Sequence, residues 1–542
     1  DTPRAEQALP VVPEGVAFTP PSVPSTPGNS QLPMVPDDDD LAEDPLPPRS
    51  PQVKRDREGS DGSAELERLT RGQPSQMAGL RSPHESTEEF LQMTMSEDEI
   101  ALARGRELEQ LEKFGVFECV DPEEFKGHKV IGCTWVDKRL TADTVKSRLC
   151  ATEFAHGKKN VEFYSATPST ANLRFIDWAS VHFDTPCMVA DVSGAFLHTP
   201  CPADQVILIR PPRESLAYGK KLWKLRKMLY GLRSSPAAWQ AHLHSLMVEK
   251  GYSRSVYEPC LYRGPTGVFL MCYVDDIHLT GPQSDMCELL TFLGQHLVIK
   301  ASGPFTEGDS YTFLRQTRLL RGSHTMLIPD ESYAYESARD LGLENCRPAS
   351  TPAMQDRLVL EDDGEELRGD DVRLFRSCVG RLLYLSHSRC DIQFSTRLLC
   401  TKLSKPTKYD MRALRHLVRY CMGTLKYGLR FDRLNGTDMS KDVVITVYVD
   451  ADWAGSSSGF RKSSSGGLMM CGNVVVHSWS KGQSVVAKSS AESEFYSICL
   501  GTDEALGWKS LLASVGVESS VVVMTDSSAA LAQCYRLGAG AS

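Results

Sequence analysis

Two adjacent aspartates, Asp275 and Asp276, interrupt an apolar run, GVFLMCYVDDIHLTG over residues 267–281. Short apolar stretches on both sides of a polar pair predict a β-hairpin with the two carboxylates at its tip. Side chains alternate across a strand, so neighbours point to opposite sides unless the turn twists them together. An Asx turn on a surface hairpin would use the same residues to cap local amides and would do no chemistry. A third carboxylate favours chemistry: MVADVSGAFLH, residues 188–198, is a short apolar strand running into Asp191. If the two strand ends lie side by side, Asp191, Asp275 and Asp276 converge. Hard oxygen ligands of that number suit a pair of Mg²⁺ (or Mn²⁺) ions, which would activate a 3′ hydroxyl and stabilise a leaving pyrophosphate in an in-line displacement.

DVSGAF (191–196) followed by YVDD (273–276) resembles motifs A and C of reverse transcriptases. LWKLRKMLYGLRSSPAAW (222–239) is similar to the VWKL and LYGLKQSPRAW signature of copia-type LTR retrotransposon polymerases. The resemblance runs from residue 88 to the last residue. It implies an α+β chain: a right-hand polymerase of fingers, palm and thumb, then a connection region and an α/β RNase H-like domain. The boundaries it suggests are 88–325 for fingers and palm, 326–372 for a thumb-like helix and linker, 373–440 for a helical connection region, and 441–542 for the RNase H-like domain.

The elements around the carboxylates then acquire expected roles. Residues 131–139 and 144–151 alternate like two strands, the second resembling the family's KARLVA segment with Lys146 and Arg148 at its basic positions. Arg and Lys there would grip the triphosphate of an incoming dNTP; a solvated edge strand uses the same bases to discourage pairing. Phe196 falls where the family's aromatic gate stacks beneath the sugar and excludes a 2′ hydroxyl, a position a core phenylalanine would fill equally well. By resemblance Tyr230 and Gly231 belong to motif B at the templating pair, glycine permitting close backbone approach. Lys220, Lys221, Lys224, Arg226, Lys227 and Arg233 form a basic cluster, a candidate phosphate-contacting patch or a solvated face. Phe313 and Leu314 stand where the family has FLG in its primer-grip region, with Arg315 replacing the glycine.

A second carboxylate set lies near the end of the sequence. A β-branched strand, 443–449, runs into Asp450; SSAESEFYS (489–497) opens a helix with a capping box from Ser489 to Glu492; a buried-type strand over 521–525 ends at Asp526. The resemblance assigns Asp450, Glu492 and Asp526 to the two-metal site of an RNase H acting on RNA/DNA hybrids, with Asp452 and Glu494 as alternatives that the family pattern disfavours. No Asp, Glu or His follows Asp526, so the domain is expected to be C-terminally truncated.

Composition sets the frame. Thirteen prolines fall within residues 1–51, and residues 1–87 are expected to be a disordered, acidic linker. Seventeen acidic and eight basic residues in 1–90 leave the remainder one charge from neutral, against a total of −10. The acidic balance therefore does not exclude nucleic-acid binding. Sixteen cysteines without a C-x-x-C pair argue against zinc and for free thiols. No apolar run approaches the ~18 residues of a membrane span. The chain begins at Asp1, and a fragment of a longer polyprotein is expected. The resemblance implies as partners an RNA template, a DNA or tRNA primer, dNTPs, RNA/DNA hybrid and other products of the same polyprotein. It implies a cytoplasmic location in a virus-like particle, and a nuclear one with the cDNA. The alternative is an inactive retroelement remnant acting as a nucleic-acid-binding scaffold.

Overall fold

The computed structural model describes residues 95–141, 143–153, 164–202, 204–354, 364–433, 443–455 and 462–536. The expected linker of residues 1–87 lies outside them. The chain is a mixed α and β protein.

The first described helix, Glu97–Lys113, starts at a capping box in which Ser96 and Glu99 satisfy each other's amides, with acidic residues in its first turn and Lys113 in its last. It packs on the hairpin of Cys133–Thr141 and Thr144–Ala151. On the second strand Val145, Ser147, Leu149 and Ala151 are buried, while Lys146 and Arg148 face the other way, as a period of two requires.

A six-stranded sheet holds the first carboxylate set. Its order is Ile299–Phe305, Cys187–Val192, Asp276–Thr280, Phe269–Tyr273, Leu261–Arg263, Ser253–Arg254. Cys187–Val192 sits inside the sheet and is covered on both faces. Cys187 and Val189 join Phe175, Ile176 and Trp178 of the helix Phe175–His182. Met188, Ala190 and Val192 join Trp239, Leu243 and Met247 of the helix Ser235–Glu249, and Leu289 and Leu293 of Gln283–His296. Burial on both faces explains why this strand reads as a continuous apolar run.

A second sheet contains Ser310–Phe313, Gln316–Arg321, His324–Pro329 and, after a long excursion, Leu429–Asp432. The suggested boundary at 325/326 falls inside its third strand. The regular elements of the excursion among the described residues are mainly helices: Ser332–Asp340, Asp370–Ser386, Gln393–Cys400 and Lys408–Gly423 pack around Phe375, Leu382, Leu414 and Leu417. The second sheet is tied to the helix Phe175–His182 by a buried bidentate ion pair, Arg318 Nε and Nη2 to Asp177 Oδ1 and Oδ2, both at 2.9 Å, and to the first sheet by His278 Nε2 and Tyr311 Oη at 2.9 Å.

In the last sheet, Val443–Asp452 lies antiparallel to Ser464–Cys471 and parallel to Ser519–Met524. Val474–Gly482 forms a hairpin with Ser464–Cys471 across Gly472-Asn473. The helix Ser490–Ser514 covers one face so closely that a Cβ at Gly501 would stand 2.5 Å from Val449 Cγ1. All sixteen cysteines are free. No helix among the described residues is long and apolar enough to cross a membrane.

Candidate active site

Strand register sets two of the first carboxylates opposite each other. Asp276 opens its strand directly opposite Asp191, and the Val192 amide donates to the Asp275 carbonyl at 2.9 Å. Tyr273 pairs with Asp276 across the turn residues Val274 and Asp275. Asp275 is thus in the turn and Asp276 in the strand, where the sequence reading put both at the tip. The Ser193 hydroxyl donates to Asp191 Oδ2 at 3.3 Å. On the far side of Asp191 stands Lys300, its cross-strand partner in the next strand.

Burial pushes the Asp275 carboxyl above the usual carboxylate range, and the Asp191 charge adds to this, while Arg148 and Lys146 pull it back. A buried carboxyl beside a second negative charge is an environment that a divalent cation relieves. Three carboxylates on two adjacent strand ends are a hard-oxygen donor set of the kind that suits Mg²⁺ or Mn²⁺.

Residues far apart in sequence line the approach. The Arg148 guanidinium lies 5.4 Å from the centre of the Tyr230 ring, and Phe196 meets the same ring edge-on at 5.6 Å. Lys146 stands directly opposite Lys138 on the neighbouring strand. Like charges in that relation destabilise a hairpin unless an anion joins them. Partial loss of hydration by the surrounding chain, then the Arg148 charge, lowers the Lys146 pKa, although its side chain reaches solvent, and partial desolvation, then the Arg315 charge, lowers that of Lys138. The sequence reading missed Lys138; only the cross-strand register reveals it.

Gly231 has φ 83°, and a Cβ there would meet the Ala151 carbonyl oxygen at 2.2 Å. Its bare backbone is required by the chain's own hairpin, whose Ala151 amide donates to the Tyr230 carbonyl at 2.7 Å. The basic cluster of residues 220–233 is partly neutralised within the chain. Glu118 takes Lys224 and Arg226, and Asp121 takes Lys221, because Phe117–Val120 pairs with Leu222–Leu225. Leu314 and Arg315 both have positive φ, 48° and 59°; Arg315 donates to Tyr333 Oη at 3.0 Å.

The second set differs from the expected one by a single residue. Asp450, Glu494 and Asp526 each offer a carboxylate oxygen, all within 4.8 Å of one another. Burial raises the Glu494 pKa, then Asp450 and Asp526 add to it, and its buried Oε2 has no hydrogen-bond partner. Glu492 instead serves the helix start. Its carboxylate accepts from the Lys488 amide at 2.7 Å, and its own amide donates to Ser489 Oγ at 3.2 Å. Residues two apart on a helix point to different sides, so Glu492 and Glu494 do not share this site.

The family model of reverse transcriptase (RNA-dependent DNA polymerase) matches residues 115–355, a span that includes Asp191, Asp275 and Asp276. The retrovirus-related Pol polyprotein from transposon RE1 of Arabidopsis thaliana is 27% identical over 403 residues, 72% of this chain and 26% of the relative. The corresponding polyprotein from transposon TNT 1-94 of Nicotiana tabacum is 27% identical over 457 residues, 80% of this chain and 33% of the relative.

The chain belongs to the copia-type retrotransposon Pol polyproteins.

It spans about a quarter to a third of the length of these Pol polyproteins. An uncharacterized mitochondrial protein of Arabidopsis thaliana is 31% identical over 245 residues, 45% of this chain and 95% of that protein. The second carboxylate set lies beyond the matched reverse transcriptase span.

Proposed function

We propose that this part of a Pol polyprotein is an RNA-directed DNA polymerase that copies RNA into cDNA. The observation that carries the reading is the register that sets Asp191 against Asp276, with Asp275 in the adjoining turn. Asp191, Asp275 and Asp276 would hold two divalent metal ions, Mg²⁺ or Mn²⁺. When bound, these supply the charge that activates a primer 3′ hydroxyl and stabilises the leaving pyrophosphate. The six-stranded sheet acts as palm, the hairpin of 133–151 as fingers, and the helix Ser332–Asp340 with its neighbours as thumb and connection.

Lys146 and Arg148, joined by Lys138, grip the triphosphate of the dNTP. Phe196 lies under the sugar and excludes a 2′ hydroxyl. Tyr230, held between Phe196 and Arg148, borders the templating pair, and Gly231 keeps it there by packing on Ala151. An RNA template and a DNA or tRNA primer complete the substrate, and other products of the polyprotein are the expected partners.

The last domain acts on the RNA of RNA/DNA hybrids. Its metal ligands are Asp450, Glu494 and Asp526, with Glu494 in the role expected of Glu492. A second reading, an inactive remnant that binds nucleic acid, draws on Arg315, whose left-handed backbone suits the glycine of the family pattern.

Extension of a DNA primer on an RNA template with Mg²⁺ and dNTPs tests the assignment, with Asp276→Asn as comparison. Extension by the parent that disappears in the variant supports it. A folded parent that binds template and does not extend the primer overturns it in favour of the remnant.

A further inference from the structure

The turn that carries Asp275 is strained and is held from outside the hairpin. Val274 has φ 58°, while Asp275 does not share the positive sign. That is the pattern of a type II′ turn, which favours glycine at its first central position. A β-branched residue in the left-handed region is disfavoured sterically, and such outliers persist only where the surroundings over-determine them.

The central peptide of the turn carries the Val274 carbonyl, and its flip interconverts turn types. That carbonyl accepts the indole N–H of Trp239 at 2.6 Å. The only other donor recorded to it among the described residues is the Cys272 thiol at 3.3 Å, a weak donor. The Asp275 carbonyl is held by the Val192 amide, a bond that backbone supplies whatever the side chains. The stronger of the two side-chain donors that orient the central peptide is thus the Trp239 indole. Trp239 is itself fixed: it is 2% exposed, packed among Met188, Leu243, Leu270 and Cys272.

We propose that Trp239 is a positioning residue for the carboxylate pair: its indole N–H holds the 274–275 peptide in one of two orientations, and so sets the direction in which Asp275 and Asp276 present their oxygens. The inference rests on the polymerase reading. It also couples two parts of that reading, since the helix bearing Trp239 begins only four residues after Gly231.

The test uses the full chain and two readouts. Mn²⁺ binding is followed by electron paramagnetic resonance in a Glu494→Gln background, which removes the second acidic set. Primer extension with Mg²⁺ gives kcat and the dNTP KM. Trp239→Phe keeps the ring and loses the donor. Expected are an about tenfold loss of Mn²⁺ affinity and an about tenfold fall in kcat, the scale of one hydrogen bond, with KM little changed.

Adding Val274→Gly, which makes positive φ free of strain, restores both. Leu243→Ala, one turn further along the same helix, destabilises the same core and leaves Mn²⁺ affinity unchanged. Unaltered Mn²⁺ binding in Trp239→Phe, a loss that Val274→Gly does not repair, or an equal loss in Leu243→Ala overturns the inference. A parent that does not extend primers, while the Mn²⁺ pattern holds, removes the polymerase reading and leaves the positioning role standing.

Discussion

Asp191 and Asp276 face each other across adjacent strands, and Lys300 flanks Asp191 on its other side. The pair inherits the rigidity of a strand buried on both faces, so the two carboxylates are fixed by backbone register.

Replacing Asp275 with Asn separates function from stability. Extension is expected to fall by about 10²- to 10³-fold or more, the scale of losing one group from a preorganised electrostatic site. The melting temperature is expected to stay level or rise, because the variant loses a carboxylate that burial and the Asp191 charge hold in a disfavoured ionised state. Steady-state extension and a thermal melt on the same sample check both.

The Asp177–Arg318 pair carries a pH signature. Burial pushes the Asp177 carboxyl up, but the charge and hydrogen bonds of Arg318 outweigh it and leave the net value below the usual range. A depressed carboxylate contributes stability above its unfolded value of about 3.9 and loses it as pH falls through the lower folded value. Arg318→Met is expected to cost about 3–5 kcal/mol, because it leaves Asp177 buried without a partner. In that variant burial is opposed only by the weaker pull of His278 and Arg174 and the folded value rises, so the sign reverses: urea midpoints should improve on going from pH 7 to pH 5. Asp177→Leu with Arg318→Met should recover most of the loss and abolish that improvement.

Gly231→Ala meets both a positive φ and the Ala151 carbonyl. A loss of about 1–3 kcal/mol is expected from the backbone conformation alone. Displacement of Tyr230 should also raise the dNTP KM. Urea unfolding with extension kinetics separates the two effects.

Glu494→Gln and Glu492→Gln should part company. The first removes a ligand from the set formed with Asp450 and Asp526 and should abolish Mn²⁺ binding there. The second weakens a helix start and should leave that binding intact, with a small drop in melting temperature. Isothermal titration of Mn²⁺ in an Asp276→Asn background reads the second set with the first one weakened.

What was legible in sequence was whatever a short stretch encodes alone. The apolar runs into Asp191, Asp450 and Asp526 mark strands, though the second runs on to Asp452 and the third is Ser519–Met524 with every other residue exposed rather than buried; the 267–281 pattern marks its hairpin, and Gly472-Asn473 marks another. What was illegible depends on partners far away. Ser489 and Glu492 carry a capping signature, which drew the metal role to Glu492. Glu494 gains its place only from how the helix sits on the Val443–Asp452 strand. The bases of 220–233 look free until Glu118 and Asp121, about a hundred residues earlier, are paired beside them. Lys138 becomes a candidate only through its register with Lys146.

The strand Leu429–Asp432 has a consequence for dissection of the chain. It completes a sheet whose other three strands end at Pro329, and Phe431 is buried in a core that also includes Phe175 and Val189 on one side and Val447 and Trp508 on the other. Residue 355, where the family match stops, lies within the excursion that separates this strand from its neighbours. A fragment cut there would bare the backbone edge of His324–Pro329, a template for unwanted strand pairing. A piece retained through residue 433 keeps that edge covered. This late strand is thus a seam between early and late parts of the chain, and the modular unit drawn from family resemblance is shorter than the one whose sheet is complete.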